Sequence, residues 1–165
     1  MNVENQMREI LDVVGSVEQG MQQYLTFELN DEHYGVEILR VQEIKGWDHV
    51  TPIPNSPDHL CGVMNLRGAI VPIVDLRLFF GMPFSPYSKL TVVVVLKVRD
   101  VTERTVGIVV DAVSDAHTIS PEDIKATPDF GSVVSTDFIS GISTIDTNMV
   151  MLLDVDTMLS SKHIG

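Results

Sequence analysis

The sequence is poor in the residues on which several common functions depend. Cys61 is its only cysteine, so no disulfide can form within the chain. Only 11 Lys and Arg stand against 23 Asp and Glu, which gives a formal net charge of −12 at pH 7. Such a chain repels phosphate backbones and anionic lipid surfaces. We therefore expect no nucleic-acid partner.

Long apolar segments are also absent. The longest apolar run, from Leu90 to Leu96, contains a Thr and ends at Lys97. That is far short of the roughly 18 to 20 residues that a membrane-spanning helix needs. The first 20 residues have neither a basic start nor the apolar core of a signal peptide. The sequence therefore predicts a cytoplasmic protein with no direct membrane insertion.

The sequence offers little for catalysis or metal binding. Asp58 to Cys61 is the one cluster that could suggest a Cys and His nucleophile pair, but sequence neighbours on a strand point to opposite faces. The five histidines do not have metal-ligand spacing. We expect a protein that is not an enzyme and that has neither cofactor nor metal.

What the sequence does have is a large excess of β-branched residues and an internal repeat. Its 24 Val and 13 Ile indicate a mainly β protein. Residues 35–44 align with residues 107–116, and residues 62–79 align with residues 141–158 at a constant offset of 79. Gly, apolar, Val and Asp residues recur in step. The pattern predicts two halves of similar build that complete each other's cores.

The repeat defines the expected organisation of the chain. The first copy covers about residues 24–82 and the second about 90–159, between an N-terminal arm (1–23) and a C-terminal tail (160–165). Alternation and turn residues predict strands at 24–29, 34–38, 61–66, 69–74, 91–98, 106–110, 139–145 and 149–153, with short helices at 75–80 and 154–159. A helical or bulged corner is expected after Ile38, and a helix start at 120–123. Because 91–98 is apolar on both faces, we expect it to be buried between the halves.

The two copies differ at one hairpin. Asn65-Leu66-Arg67-Gly68 in the first copy corresponds to residues 144–147, Thr-Ile-Asp-Thr, in the second. The shared scaffold therefore does not require Arg67, which makes it a candidate for function. Glu43 corresponds to Asp115, and we pair it with Arg67.

Four stretches of the chain resemble the CheW-like family of chemotaxis coupling proteins. They are YGVEILRVQEI at 34–44, TPIPNSP at 51–57, GVMNLRGAIVPIVDLR at 62–77 and VGIVVDAVSD at 106–115. The resemblance covers about residues 24–159. It implies two SH3-like five-stranded β-barrel subdomains and an adaptor without catalytic activity.

The resemblance also implies the partners. The adaptor would couple the cytoplasmic tips of methyl-accepting chemoreceptors to the regulatory domain of a histidine kinase, and would be recruited to membrane-associated receptor arrays. Self-association in array rings is a further expectation. The alternative is an SH3-like peptide-binding module outside chemotaxis, which would use an aromatic groove for proline-rich segments. A chain with 6% aromatic residues is poorly suited to that role.

Two kinds of residue make up the expected partner-binding surface. The hairpin and its neighbours contribute polar and conformational residues, among which Gly62 and Gly68 act first through the backbone. Four apolar residues are either core or groove lining, and the sequence leaves both interpretations open. The complete expected set is Ile38, Val41, Glu43, Gly62, Asn65, Leu66, Arg67, Gly68, Val93 and Val113.

Overall fold

A computed structural model describes residues 21–127 and 134–161. The strands in this part of the chain are Gln22–Leu29 (β1), Glu32–Glu37 (β2), Val41–Gly46 (β3), Leu60–Leu66 (β4), Ala69–Asp75 (β5), Val92–Arg99 (β6), Glu103–Val110 (β7), Ala112–Ile119 (β8), Ile139–Ile145 (β9) and Asn148–Leu153 (β10). Short helices at Leu76–Phe79 (α1) and Val155–Met158 (α2) follow β5 and β10, and three 3₁₀ turns lie at Ile38–Arg40, Pro121–Asp123 and Thr136–Phe138.

The strands form two five-stranded sheets. One has the order β8-β1-β2-β10-β9 and is called the β1 sheet below; the other, β3-β6-β7-β5-β4, is called the β6 sheet. The chain is thus mainly β, as the valine and isoleucine content predicts. In the described residues, no helix is long and apolar enough to cross a membrane.

Each sheet contains strands from both repeats. In the β6 sheet, β3, β4 and β5 of the first repeat surround the β6–β7 hairpin of the second. In the β1 sheet, β8, β9 and β10 of the second repeat surround the β1–β2 hairpin of the first. We call this arrangement the hairpin exchange. It gives physical form to the expectation that each half completes the core of the other.

The two sheets match residue by residue. Gly107 pairs with Ile73 in the parallel β5–β7 ladder, and Gly35 pairs with Leu152 in the parallel β2–β10 ladder. The edge strands match as well, because β3 and β8 both carry a register shift where they pair with the hairpin. The shifts lie between Val41 and Glu43 in β3, and between the equivalent Val113 and Asp115 in β8.

The main core lies between the two sheets, and each sheet has a smaller core on its other face. Strand β6 contributes to two of these cores. Val92, Val94 and Leu96 point into the main core, whereas Val93 and Val95 point into the second core of the β6 sheet. The segment 91–98, expected from its two apolar faces to be buried between the halves, corresponds to strand β6, whose residues Val92 to Leu96 are buried on both faces while Lys97 is exposed.

Two strands were not expected from the sequence. β3 was predicted only as a corner, and β8 not at all. Both contain the register shift just described, which places two residues of the edge strand opposite one residue of its partner and so interrupts the period-two alternation. The helix start expected at 120–123 is a single 3₁₀ turn with Pro121 at its first position. Of the predicted arm (1–23), residues 1–20 lie outside the described residues, and Gln22 and Gln23 belong to β1. Of the predicted tail (160–165), residues 162–165 lie outside them.

Candidate partner-binding site

The β4–β5 hairpin presents Arg67 at its tip. Arg67 and Gly68 both have positive φ, +54° and +89°, which is the backbone of a two-residue hairpin turn that follows the twist of the strands. The backbone N–H of Gly68 donates to Oδ1 of Asn65 over 2.9 Å and so fixes the turn. Leu66 is half-buried against the second core of the β6 sheet. Asn65, Leu66 and Gly68 therefore hold Arg67 outward.

An ion pair joins the two edges of the β6 sheet. Nη2 of Arg67 lies 2.9 Å from Oε2 of Glu43, although β3 and the β4–β5 hairpin are at opposite edges of the strand order. The sheet therefore curls until its edges approach. The Arg67 side chain is 85% exposed and that of Glu43 is 19% exposed, so the cation faces solvent while the carboxylate sits partly beneath it.

The register shift in β3 sets the position of Glu43. Val41 pairs with Leu96, and Glu43 then pairs with Val95, so Gln42 is the extra residue. Val41 is half-buried and packs against the main core. Val41 and Glu43 thus bring an apolar and an acidic side chain to the same edge of the β6 sheet that Arg67 reaches.

Gly62 supports the hairpin through a close backbone approach. Its φ is +146°, and a Cβ at this position would lie 2.1 Å from the carbonyl oxygen of Thr51. Thr51 and Val63 exchange two backbone hydrogen bonds of 2.9 Å, which tie the proline-rich connection to β4. A side chain at Gly62 would break this contact. Its role is conformational, in agreement with the sequence interpretation.

Several apolar side chains on this part of the chain are exposed and were not predicted. Ile70, directly across the ladder from Asn65, is 64% exposed, and Ile53 of the proline-rich connection is 38% exposed. Leu39, in the 3₁₀ turn before Val41, is 78% exposed. In the sequence, Ile70 belongs to the predicted strand at 69–74, where most residues are apolar on both faces. Ile70 and Val71 face opposite sides of this strand, and only Val71 is buried.

Three expected site residues lie elsewhere. Ile38 is buried in the main core, and Val93 has no exposed surface and lies in the second core of the β6 sheet. The core interpretation describes both residues, because neither presents a side chain to a partner in this conformation. Val113 is half-buried on β8, in the other sheet, where it is the equivalent of Val41. Val41 and Val113 both pack against the main core, each from a different sheet, whereas Val93 lies in the second core of the β6 sheet.

The equivalent hairpin of the β1 sheet has the same backbone and different side chains. Asp146 and Thr147 have φ of +48° and +71°, and Met149, the equivalent of Ile70, is 60% exposed. A cavity of about 610 Å³ opens beside Met149 and is also lined by Ile142, Thr144 and Lys125. Both hairpins thus expose one large apolar residue, but one turn is cationic and the other anionic.

The residues around Cys61 do not form a nucleophilic site. Burial raises the pKa of the Cys61 thiol, so it stays protonated at neutral pH and is a weak nucleophile. Burial lowers the pKa of His59, whose ring packs edge-on against Phe79 with centroids 5.2 Å apart. Nowhere in residues 21–127 and 134–161 do three or more His, Cys, Asp or Glu residues cluster in a way that could hold a metal ion.

Comparison with known proteins gives a consistent result. The sequence model of the CheW-like domain matches residues 23–163. The chain is 44% identical over 144 residues to a chemotaxis protein CheW of Klebsiella aerogenes, covering 87% of this chain and 85% of that protein. It is 38% identical over 151 residues to a probable chemotaxis protein CheW of Rhizobium etli, covering 91% and 95%.

The fold is also similar to a solved structure. The scaffolding protein TtCheW of Thermoanaerobacter tengcongensis superposes with a TM-score of 0.77 at 27% identity, covering 87% of this chain and 90% of that one. The similarity extends across both sheets rather than one repeat.

Proposed function

The chain belongs to the CheW-like family, and on that premise we propose that it is a chemotaxis adaptor that couples the cytoplasmic tips of chemoreceptors to the regulatory domain of a histidine kinase. The adaptor works in the cytoplasm and is recruited to receptor arrays. The observation that carries the proposal is the Glu43–Arg67 pair, which holds an exposed cation beside the exposed Ile70 at the tip of a rigid hairpin.

The energetics of this pair favour binding over stability as its role. An ion pair with one partner 85% exposed contributes about 0 to 1 kcal/mol to stability, because water screens it and side-chain entropy opposes it. The same exposed guanidinium can form charge-assisted hydrogen bonds to a partner's carboxylates or carbonyls. Glu43 keeps it oriented towards the rim until a partner arrives.

The receptor contact uses Val41, Glu43 and the β4–β5 hairpin. A chemoreceptor tip is helical, and an amphipathic helix binds by placing apolar side chains in a groove while its polar side chains meet charges at the rim. The half-buried Val41 and the exposed Leu39 and Ile70 provide apolar surface, and Arg67 and Glu43 provide the charges. Gly62 and Gly68 act indirectly by shaping the hairpin.

The kinase contact and self-association use the opposite character of the two hairpins. The family fold also forms the kinase regulatory domain, so the kinase can present a hairpin of its own. A cationic tip with Ile70 on one molecule complements an anionic tip with Met149 on the next. Such a head-to-tail contact is heterologous and closes into rings when the rotation permits.

Reconstitution tests the proposal. Purified adaptor is added to receptor-containing membranes and kinase, and both kinase activity and co-sedimentation are measured. Arg67→Ala is expected to reduce both at least tenfold. The matched control is Arg99→Ala, which removes another exposed arginine of the β6 sheet at the far end of β6, and which is expected to leave both unchanged. Wild-type adaptor that neither co-sediments nor stimulates the kinase refutes the proposed function.

A further inference from the structure

Two parallel ladders connect the hairpins to the other repeat, β7 with β5 and β2 with β10, and we call these ladders the joints of the hairpin exchange. An ion pair lies at the end of each joint. Because the paired strands are parallel, the chain leaves both of them at the same end of the ladder. Beyond β5 comes α1, and beyond β10 comes α2. Beyond β7 and β2 come the corners that lead to β8 and β3. Each joint therefore brings one short helix next to one corner.

At the β5–β7 joint the helix carries the cation. Arg77 of α1 is 1% exposed, and its Nη1 lies 3.0 Å from Oδ1 of Asp111 in the β7–β8 corner. Asp75 holds the same guanidinium through Nε and Nη2, at 3.1 and 3.0 Å, and the carbonyl of Ser85 accepts from Nη1 at 2.7 Å. Oδ2 of Asp111 accepts the N–H of Asn30, which belongs to the other sheet's hairpin turn.

At the β2–β10 joint the helix carries the anion. Asp156 of α2 receives two hydrogen bonds from Arg40 of the β2–β3 corner, 2.8 Å from Nη1 and 2.6 Å from Nη2. The backbone N–H of Arg99 donates to the same carboxylate over 2.7 Å. Asp156 is the repeat equivalent of Arg77 at the offset of 79. The corner residues are not equivalent, because the offset of 72 puts Leu39 at the place of Asp111 and Ala112 at the place of Arg40. Each joint thus pairs its helix with its corner, and the two pairs have opposite polarity.

The polarity matters for the alternative in which each hairpin stays with its own repeat. By the register equivalence, β2 would then pair with β5 and β7 with β10. The second of these joints would bring Asp111 to the start of α2, where Asp154 and Asp156 lie, and would have Ala112 in the place that Arg40 takes in the exchanged fold. The first would have Leu39 in the place of Asp111, with Arg40 one residue further along the same corner near Arg77. Both native ion pairs would be lost, and residues of like charge would approach each other. Like charges at close, partly buried sites cost free energy, whereas both exchanged joints pair opposite charges.

We propose that the two ion pairs of opposite polarity, Arg77–Asp111 and Arg40–Asp156, specify the hairpin exchange by making the alternative pairing of each hairpin with its own repeat electrostatically unfavourable. Hydrophobic patterning alone cannot make this choice, because the two repeats share it. The charges at the joints differ between the repeats and can therefore distinguish one joint from the other.

Reversing one pair tests the proposal. In the double variant Arg40→Asp with Asp156→Arg, the exchanged joint still has opposite charges. The alternative joints now also have opposite charges, since the new aspartate can meet Arg77 and the new arginine can meet Asp111. The preference for the exchanged pairing over the alternative should therefore fall, while the ion pair of the exchanged joint persists with its charges reversed.

Engineered cysteines report which pairing forms. In a Cys61→Ser background, His33→Cys with Val150→Cys reports the exchanged fold, because residues 33 and 150 are ladder partners. His33→Cys with Val71→Cys reports the alternative, since Val71 is the repeat equivalent of Val150. Paired strands bring Cα atoms within disulfide range. Each protein is refolded from denaturant under reducing conditions and oxidised, and intramolecular disulfide is quantified by mass spectrometry.

With native charges we expect the 33–150 disulfide and almost no 33–71 disulfide. The reversed pair should raise the 33–71 fraction at least tenfold. The matched control reverses the Glu43–Arg67 pair, Glu43→Arg with Arg67→Glu, and should leave the 33–71 fraction unchanged. No rise in the reversed variant, or an equal rise in the control, overturns the proposal. If the reversed variant does not fold, Arg40→Gln with Asp156→Asn replaces it. That neutral pair should raise the 33–71 fraction less, and no rise refutes the proposal.

Discussion

The β6 sheet and the β1 sheet have the same arrangement of strands but differ in the charged residues at their edges and in the size of their second cores. In the β6 sheet, Glu43 and Arg67 join the two edges over a second core of seven buried residues. In the β1 sheet the equivalent positions are Asp115 and Asp146, two like charges, over a core of four buried residues. A cavity of about 610 Å³ lies beside Met149 of this sheet.

The backbone does not account for this difference. Both hairpin turns have two residues with positive φ, and both edge strands carry the same register shift. At the hairpin tips and edge strands the two copies differ in their side chains, with Arg67 and Glu43 in one sheet and Asp146 and Asp115 in the other. Two copies of one scaffold thereby present two chemically distinct surfaces.

The largest effect on stability is expected at Gly62, because its backbone contact is tighter than any contact at the equivalent Gly141. Gly62→Ala would place a Cβ 2.1 Å from a backbone oxygen at a φ of +146°, and should cost roughly 3 to 5 kcal/mol. Gly141→Ala, at the equivalent position, meets a side-chain methyl of Ile124 at 2.4 Å and should cost about 1 to 3 kcal/mol. Denaturant unfolding of both variants measures the difference. Equal losses would show that the Thr51 contact is not special.

The next effect concerns the two valines at the register shifts. Val41→Asp and Val113→Asp each place a carboxylate at a half-buried position and should each lower stability by about 1 to 3 kcal/mol without unfolding the protein. Only Val41→Asp should weaken binding to a receptor tip, because only β3 lies beside Arg67. Thermal melting by circular dichroism is combined with a receptor-tip titration. Unfolded Val41→Asp, or a folded form that binds normally, removes Val41 from the site.

Charge at the β2–β10 joint should affect stability at low pH. Burial raises the pKa of Asp156, but the hydrogen bonds from Arg40 and Arg99 outweigh it, so the pKa lies below the ordinary value. A depressed carboxyl pKa stabilises the fold above its unfolded-state pKa, and this contribution disappears as the pH falls through the folded-state pKa. Asp156→Asn should therefore give a shallower loss of stability on the acid side. Unfolding curves between pH 7 and pH 3 measure it, and parallel curves would contradict the assignment.

Small effects on stability are expected from the exposed apolar residues of the two hairpins. Ile70→Ala and Met149→Ala remove side chains that are mostly in water, and each should change stability by less than about 0.5 kcal/mol. Their binding effects should differ, with receptor binding weakened by Ile70→Ala and unchanged by Met149→Ala. Loss of receptor binding in both variants would mean that the hairpins are not distinct surfaces.

The smallest effect is expected at the lone cysteine. Cys61→Ser should leave adaptor activity and receptor binding unchanged, because burial keeps the thiol protonated and therefore weakly nucleophilic. In the wild type, alkylation by iodoacetamide at pH 7 should be slower than that of a free thiol. An inactive but folded Cys61→Ser variant would give the thiol a role that its surroundings do not suggest.

Much of the fold could be predicted from the sequence because its signals are local. Alternation, turn residues and the repeat predicted β1, β2, β4, β5, β6, β7, β9 and β10 within a few residues. β3 and β8 could not be read because their register shifts break the alternation. The hairpin exchange could not be predicted from the sequence either. A repeated hydrophobic pattern fits both pairings, and only contacts between residues distant in sequence decide between them.

The candidate site, like the fold, could be predicted only in part from the sequence. The difference between Arg67 and Asp146 made the hairpin a candidate site, which stays a prediction, and the pairing of Glu43 with Arg67 is seen in the structure. The exposure of Ile70 and the burial of Val93 could not be assigned. Both residues lie in apolar runs, and which face of a sheet meets a second layer depends on how the sheets pack.

The hairpin exchange has a consequence for any shorter form of this chain. A polypeptide holding one repeat alone could make the hairpin exchange only with a second copy of itself, as a twofold symmetric dimer. Identical copies must then carry identical hairpins and identical joints. With both repeats in one polypeptide that constraint is gone, so one turn can hold an arginine where the other holds an aspartate, and the two ion pairs can have opposite polarity.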